Sequence, residues 1–255
     1  MADRPLQNRI ALVTGAAGGI GRATALELAR DGAAIAVNYR RSRDAAESLV
    51  RDLEASGARA AAFPADVTRG ADVTAMVTAV EKTLGPIDIL VNNAGDLVAR
   101  RGLAAMTEDV FRSVLDVNVV STWLCCQALA PGMAARGRGA IVNMSSLAAH
   151  NGGGPGAFAY AAAKAAVIAL TKGIAKELAP QGIRVNCVSP GLIGETEFHG
   201  RFTPPDAFAS AEKNVPLGRA GTPAEVARVI AFLAGDGSSY LVGETIEING
   251  GAFMR

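Results

Sequence analysis

Seven short runs rich in branched apolar residues, at positions 10–13, 33–38, 60–63, 87–92, 140–144, 183–188 and 245–248, constrain the fold of this chain more than any other feature. Most are continuously apolar rather than alternating with polar residues, the pattern of strands buried on both faces. Between them lie longer stretches of helix-forming composition, at 22–30, 44–56, 71–84, 108–135, 157–178 and 224–233. Parallel strands need long crossover connections, and helical crossovers cover both faces of a sheet. The expectation is an α/β fold: a doubly wound parallel sheet of seven strands, Rossmann-like. No linker-like shift in composition and no internal repeat interrupts the chain, so residues 1–255 read as a single domain. The one segment that breaks the alternation is 194–216, which carries three prolines. It follows the sixth strand, where an open α/β sheet binds its ligands, and is a candidate substrate lid.

Half of the residues are apolar, 19% are charged, and the formal net charge is +1. No run of Lys or Arg exceeds two, so nothing marks a surface for nucleic acid or an anionic membrane. Cys125, Cys126 and Cys187 lack C-x-x-C spacing, which argues against a disulfide framework and a structural zinc site, and no metal is expected. Residues 1–8 lack the basic flank and apolar core of a secretory signal. Asn118, Gln127, Pro131 and Gly132 interrupt the uncharged stretch 117–135 and spoil it as a membrane span. A cytoplasmic protein is the expectation.

Directly after the first apolar run comes Thr14-Gly15-Ala16-Ala17-Gly18-Gly19-Ile20-Gly21, leading into a helix. Glycines here permit a tight turn and let a pyrophosphate reach the helix N-terminus, where free N–H groups and the helix dipole favour anions. An acidic residue ending the second strand would bind a ribose 2′-hydroxyl, but the chain reads Asn38-Tyr39-Arg40-Arg41 there. Arginine forks suit a 2′-phosphate, so NADP(H) is preferred over NAD(H), with NAD(H) still usable. Farther on, Tyr160 and Lys164 stand four apart in an Ala-rich helix and share one face. A free tyrosine titrates near 10; a neighbouring ammonium and an oxidised nicotinamide ring would both favour its phenolate.

Taken together, these motifs resemble the short-chain dehydrogenase/reductase family over nearly the whole chain. The resemblance rests on Thr14 to Gly21, Asp66-Val67, Asn92-Asn93-Ala94-Gly95, Asn118, Asn143-Met144-Ser145-Ser146, Tyr160 to Lys164, Pro190-Gly191, Pro216-Leu217-Gly218-Arg219 and Asn249-Gly250-Gly251. It implies hydride transfer between nicotinamide and a carbonyl or alcohol carbon, with Tyr160 exchanging the oxygen's proton. Ser146 would hold the substrate oxygen, Lys164 the nicotinamide ribose, and Asn118 a water leading to solvent. Ser146 precedes Tyr160 by 14 positions, one more than is commonest, and Ser145 stands beside it. The cofactor would meet Gly15, Gly19, Ile20 and Gly21 at the turn, Arg40 and Arg41 at the phosphate, and Asp66 and Val67 at the adenine. Asn92, Ala94, Gly95, Tyr160, Lys164, Pro190, Gly191, Ile193 and Thr196 would complete its contacts. The resemblance also implies a homotetramer, for which the alanine-crowded helix 157–178 would allow close approach.

The substrate is less constrained, because it depends on loops rather than on the shared fold. Many relatives reduce 3-oxoacyl groups on acyl carrier protein. Here, however, Asp96-Leu97-Val98 replaces their usual Ile-Thr-Arg-Asp, and Gln181 stands where many carry a basic residue. A local likeness to reductases of 4-deoxy-hexoseulose uronate, a keto sugar acid, runs through residues 97–101, 150–157 and Phe198-His199. A carboxylated sugar needs cations, and Arg100, His150 and His199 are expected to supply them, with Arg101 and Arg201 near. Two other classes fit the sequence less well. A serine hydrolase would need a G-x-S-x-G elbow, which does not occur. A non-catalytic NADP-binding regulator would have lost a member of the Ser/Tyr/Lys set, and all are present.

Overall fold

A computed structural model describes residues 4–254. Seven strands, β1 (Ile10–Val13), β2 (Ala34–Tyr39), β3 (Ala60–Pro64), β4 (Ile89–Asn92), β5 (Gly139–Met144), β6 (Ile183–Pro190) and β7 (Thr245–Ile248), form one sheet in the order β3-β2-β1-β4-β5-β6-β7. Every pairing is parallel. Successive residues of a strand feed opposite faces: in β1, Ala11 and Val13 join one core cluster while Ile10 and Leu12 join the other. Both faces are therefore apolar, which explains the unbroken runs.

One face packs on α1 (Gly19–Arg30), α2 (Arg43–Ala55) and α10 (Pro223–Ala234), through Leu28, Leu49, Leu53 and Ile230. The other packs on α3 (Gly70–Thr83), α5 (Ser121–Arg136) and α7 (Phe158–Leu178), through Val80, Leu129, Met133 and Leu178. Two helical stretches, Glu108–Arg136 and Phe158–Gln181, are long and apolar enough by composition to cross a membrane. Here each lays a buried stripe against the sheet or its neighbours, with Cys125, Cys126, Val167 and Ala175 among the buried residues.

The stretch expected as one helix over 108–135 is broken in register. It runs as α4 (Glu108–Leu115), a π-helical turn Asp116–Val120, and then α5. A single π turn inserts one extra residue per turn and re-aims the side chains on it, often at functional sites. The segment 194–216 is largely helical, as α8 (Glu197–Phe202) and α9 (Pro205–Lys213). A short helix, α6 (Ala148–Asn151), completes the set. Strand order reverses between β1 and β4, so a crevice opens outside their carboxyl ends.

Candidate active site

The crevice is a cleft of about 1320 Å³. Its floor is the turn after β1. Gly15 and Gly19 take φ of +59° and +51°, a region that side chains disfavour. A Cβ on Gly21 would lie 2.5 Å from Asn93 Nδ2 and 2.6 Å from the Gly15 carbonyl oxygen, so only glycine fits there. Helix α1 starts at Gly19 with no side-chain cap and no acidic residue in its first turn. Its N-terminal amides and positive dipole end have no compensating group within the helix and make a seat for an anion, with Glu197 of α8 near Gly18. Asn38 holds the turn from β2, its Oδ1 accepting from Gly15 N at 3.2 Å, and Asn93 holds it from β4, its Nδ2 donating to Thr14 O at 2.8 Å.

Arg40 and Arg41 line the cleft at the end of β2, and Asp66 faces them, with Arg40 Nη1 3.7 Å from its carboxylate. Partial burial disfavours the charge on Asp66, but the Thr68 hydroxyl and amide both donate to Oδ1. With Arg40 and Arg69 near, they hold its carboxyl below the usual range. These features fit a dinucleotide: an anion seat at α1, arginines at the β2 end, and a structured acid opposite. Of the residues expected to meet it, Gly15, Gly19, Ile20, Arg40, Arg41, Asp66, Val67, Ala94, Gly95, Tyr160, Lys164, Pro190, Gly191, Ile193 and Thr196 line the cleft.

Gly21 and Asn92 do not: Gly21 packs beneath the turn against Asn93 and the Gly15 carbonyl. Asn92 points into the core, where its Nδ2 donates to Asn143 Oδ1 at 2.9 Å, and Asn143 Nδ2 donates to Thr171 Oγ1 at 2.9 Å. This buried relay ties β4 to β5 and on to α7. Strand alternation sends Asn92 inward and leaves Asn93 to face the turn. Thr14, Asn38 and Asn93 stand in stretches quoted from the sequence, but their part in holding the turn is not read there; a polar residue closing each of three neighbouring apolar runs is the available signal.

Lys164 and Tyr160 project from α7 at the centre of the cleft. Lys164 is 3% exposed, donates to Met144 O at 2.8 Å, and sits 5.5 Å from the centre of the Tyr160 ring. Burial pushes the Lys164 ammonium down to about 8, with a small opposing contribution from Cys187. Burial also pushes the Tyr160 phenol up, to about 12; a hydrogen bond with Ser146 works against this and Asp96 adds to it. Desolvation disfavours the charged form of both groups, and the expected pull of Lys164 and an oxidised nicotinamide ring on the Tyr160 phenolate works against it.

The two serines divide cleanly. Ser145 donates to Lys164 O at 2.8 Å and fastens β5 to α7, whereas Ser146 is the hydrogen-bonding neighbour of Tyr160. Asn118 lies in the π turn and is 1% exposed. Its Nδ2 donates to Asp96 O at 2.7 Å and Val114 O at 2.8 Å, and its buried Oδ1 has no hydrogen-bond partner among the described protein atoms. Gly95 shows where that oxygen points: a Cβ there would lie 2.7 Å from Asn118 Oδ1 and 2.9 Å from Lys164 Nζ. The absent side chain lets the two polar atoms converge.

The expected substrate cations fare differently. Arg100 lines the cleft, but its Nε donates to Phe202 O at 2.7 Å and its Nη1 to Pro155 O at 3.0 Å. His150 is not part of the lining. Its ring stacks on Phe253 with centroids 4.5 Å apart, and its Nε2 lies 2.9 Å from Glu247 Oε1. The side chain of His199 lies outside the described residues. Arg201 also lines the cleft and pairs with Asp96 at 3.2 Å.

Residues 15–252 match the family model described as Enoyl-(Acyl carrier protein) reductase. The chain is 40% identical over 247 residues to a 3-oxoacyl-[acyl-carrier-protein] reductase of Staphylococcus epidermidis, covering 97% of this chain and all of the relative. It is 42% identical over 246 residues to an uncharacterized oxidoreductase of Escherichia coli, covering 95% and 99%. Among solved structures, a gluconate 5-dehydrogenase from Burkholderia cenocepacia in complex with NADP and tartrate superposes with a TM-score of 0.91. It is 37% identical and covers 98% of this chain and 97% of that one. With sheet order, glycine turn and full-length kinship in agreement, the chain belongs to the short-chain dehydrogenase/reductase family of nicotinamide-dependent oxidoreductases.

Proposed function

We propose that the protein is an NADPH-dependent carbonyl reductase in which Tyr160 donates the proton to the substrate oxygen. The observation that carries this reading is the convergence of Tyr160, Ser146 and Lys164 in the cleft. Partly buried beside Ser146, the Tyr160 phenol keeps its proton at neutral pH and can hand it to an oxygen on which negative charge develops. The reduced nicotinamide supplies hydride. Ser146 holds the carbonyl oxygen next to Tyr160 as negative charge develops on it. Lys164 holds the cofactor's ribose and stands ready to replace the proton that Tyr160 gives up. Asn118 offers its Oδ1 to a water that leads from Lys164 to solvent. Arg40 and Arg41 favour NADPH, in keeping with the NADP in the gluconate 5-dehydrogenase structure.

The substrate class best supported is a neutral ketone, with a 3-oxoacyl thioester first. Arg201 is matched by Asp96, His150 faces Glu247 outside the lining, and two donors of Arg100 are taken by backbone carbonyls. These engagements weaken the case for a keto sugar acid such as 4-deoxy-hexoseulose uronate. A second reading, a hydroxy or keto acid, draws on the neighbour in complex with tartrate and on Arg100 still lining the cleft. Segment 194–216, with α8 and α9, is the proposed lid over this substrate.

NADPH consumption with 3-oxobutanoyl thioester, keto sugar acids, diketones and aldoses tests the proposal. Turnover of the thioester above the acids is expected. Turnover of the acids alone defeats the substrate class, and no turnover of any carbonyl by NADPH-binding protein defeats the reductase reading. Assembly is part of the proposal: exposed Ala162, Ala169 and Gly173 on α7 and Trp123 on α5 suit helix-to-helix contact between copies in a homotetramer, which light scattering after size exclusion would show. A cytoplasmic location belongs to the same reading, and cell fractionation tests it.

A further inference from the structure

Helix α8 reaches the centre of the cleft by two routes. Directly, the Phe198 ring leans on the Tyr160 ring, 5.5 Å between centres and tilted by 40°. Indirectly, Arg201 donates from Nη1 to Asp96 Oδ2 at 3.2 Å. Asp96 is fixed from every side. Its Oδ1 accepts from Val98 N at 3.3 Å, its carbonyl accepts from Asn118 Nδ2 at 2.7 Å, and it follows Gly95, over which Asn118 Oδ1 and Lys164 Nζ converge. Arg100 then pins the end of α8 by donating to Phe202 O. A carboxylate so placed acts on its surroundings through its field, and Arg201, the cation paired with it among the described residues, rides on α8.

We propose that Arg201 is a positioning residue for the proton donor: by matching the Asp96 carboxylate it shields Tyr160 from that charge, so that the seating of α8 and the readiness of Tyr160 are set together. This rests on the reading of Tyr160 as proton donor. Among the described residues, the charged groups near Tyr160 are Lys164 on its own helix and Asp96 in the loop after β4, with Arg201 paired to Asp96 and neutral Ser146 hydrogen-bonded to Tyr160. A negative charge near a phenol makes the phenolate harder to form, and Asp96 contributes in that sense. Stability is not the issue, because Arg201 is 57% exposed and such a pair contributes little to folding.

The test is the phenolate absorbance of the protein without cofactor at a pH of about 10.5. Each variant is read against the same variant carrying Tyr160→Phe, so that Tyr39 and Tyr240 cancel. A shift of roughly half a unit would raise the Tyr160 phenolate fraction about threefold in Asp96→Asn and lower it about threefold in Arg201→Gln. The double variant should return close to the wild-type fraction, because the two opposite charges act on the phenol in opposite senses and both are removed, and Arg201→Lys should restore the wild-type fraction. Equal fractions in Asp96→Asn and wild type, or an Arg201→Gln fraction equal to wild type, would overturn the proposal. No substrate is needed, so a thioester that fails as substrate leaves this result intact. Turnover surviving in Tyr160→Phe removes the donor reading without altering the titration.

Discussion

Replacing Lys164 by methionine tests how strongly the cleft disfavours charge. The ammonium is 3% exposed and pushed down from 10.5 to about 8. A depression of about 2.5 units corresponds to roughly 3 kcal/mol of differential interaction against the charged form. Between 8 and 10.5 the unfolded chain binds the proton that the folded chain has released, so wild-type stability rises with pH across that window. The penalty is fully present below about 8 and gone above about 10.5. Working the linkage through, it should fall by about 2.5 kcal/mol between pH ~7 and ~10. Lys164→Met is similar in shape and cannot titrate. It forfeits the bond to Met144 O, but that loss is the same at both pH values. Urea unfolding of both proteins at the two pH values gives the comparison. Wild type should gain on Lys164→Met by about 2.5 kcal/mol at the higher pH; a pH-independent difference would refute the claim that burial sets the Lys164 charge state.

Other substitutions follow from the same geometry. Gly95→Ala places a methyl between Asn118 Oδ1 and Lys164 Nζ, so turnover should fall about a hundredfold while the fold survives, checked by steady-state kinetics beside circular dichroism. Arg40→Ala with Arg41→Ala should raise the KM for NADPH by about 10- to 100-fold and leave that for NADH nearly unchanged. Arg184 closes the carboxyl end of α10, donating to Leu233 O at 2.9 Å, Gly235 O at 3.0 Å and Ser238 Oγ at 2.7 Å. Arg184→Met should therefore cost about 2–4 kcal/mol of stability, measured by denaturant titration, with little change in turnover at low temperature.

The sheet was legible because strands buried on both faces leave unbroken apolar runs, and a glycine-rich turn after the first of them marks the anion seat. Offsets at strand ends, such as β2 running from Ala34 to Tyr39, arise where pairing with a neighbour rather than composition ends the ladder. The π turn at Asn118 has no compositional signature, so the sequence predicts one uninterrupted long helix there. Asn92 and Asn93 are indistinguishable as letters; the pleat separates a core relay from a turn clamp. His150 is expected in the cleft from a local likeness and from the need of a carboxylated sugar for cations. Phe253 and Glu247, about a hundred positions later, take its ring elsewhere. The Asp96–Arg201 pair spans 105 positions and emerges only once α8 folds over the cleft. The protonation of Tyr160 depended on burial, which spacing from Lys164 does not encode.

The most direct test of the central claim is Tyr160→Phe, which keeps the ring against Phe198 and removes the hydroxyl beside Ser146. NADPH binding, followed by fluorescence, should stay within about twofold of wild type, while carbonyl reduction falls by about 10²–10⁴-fold. Reduction close to the wild-type rate in that variant would contradict the account.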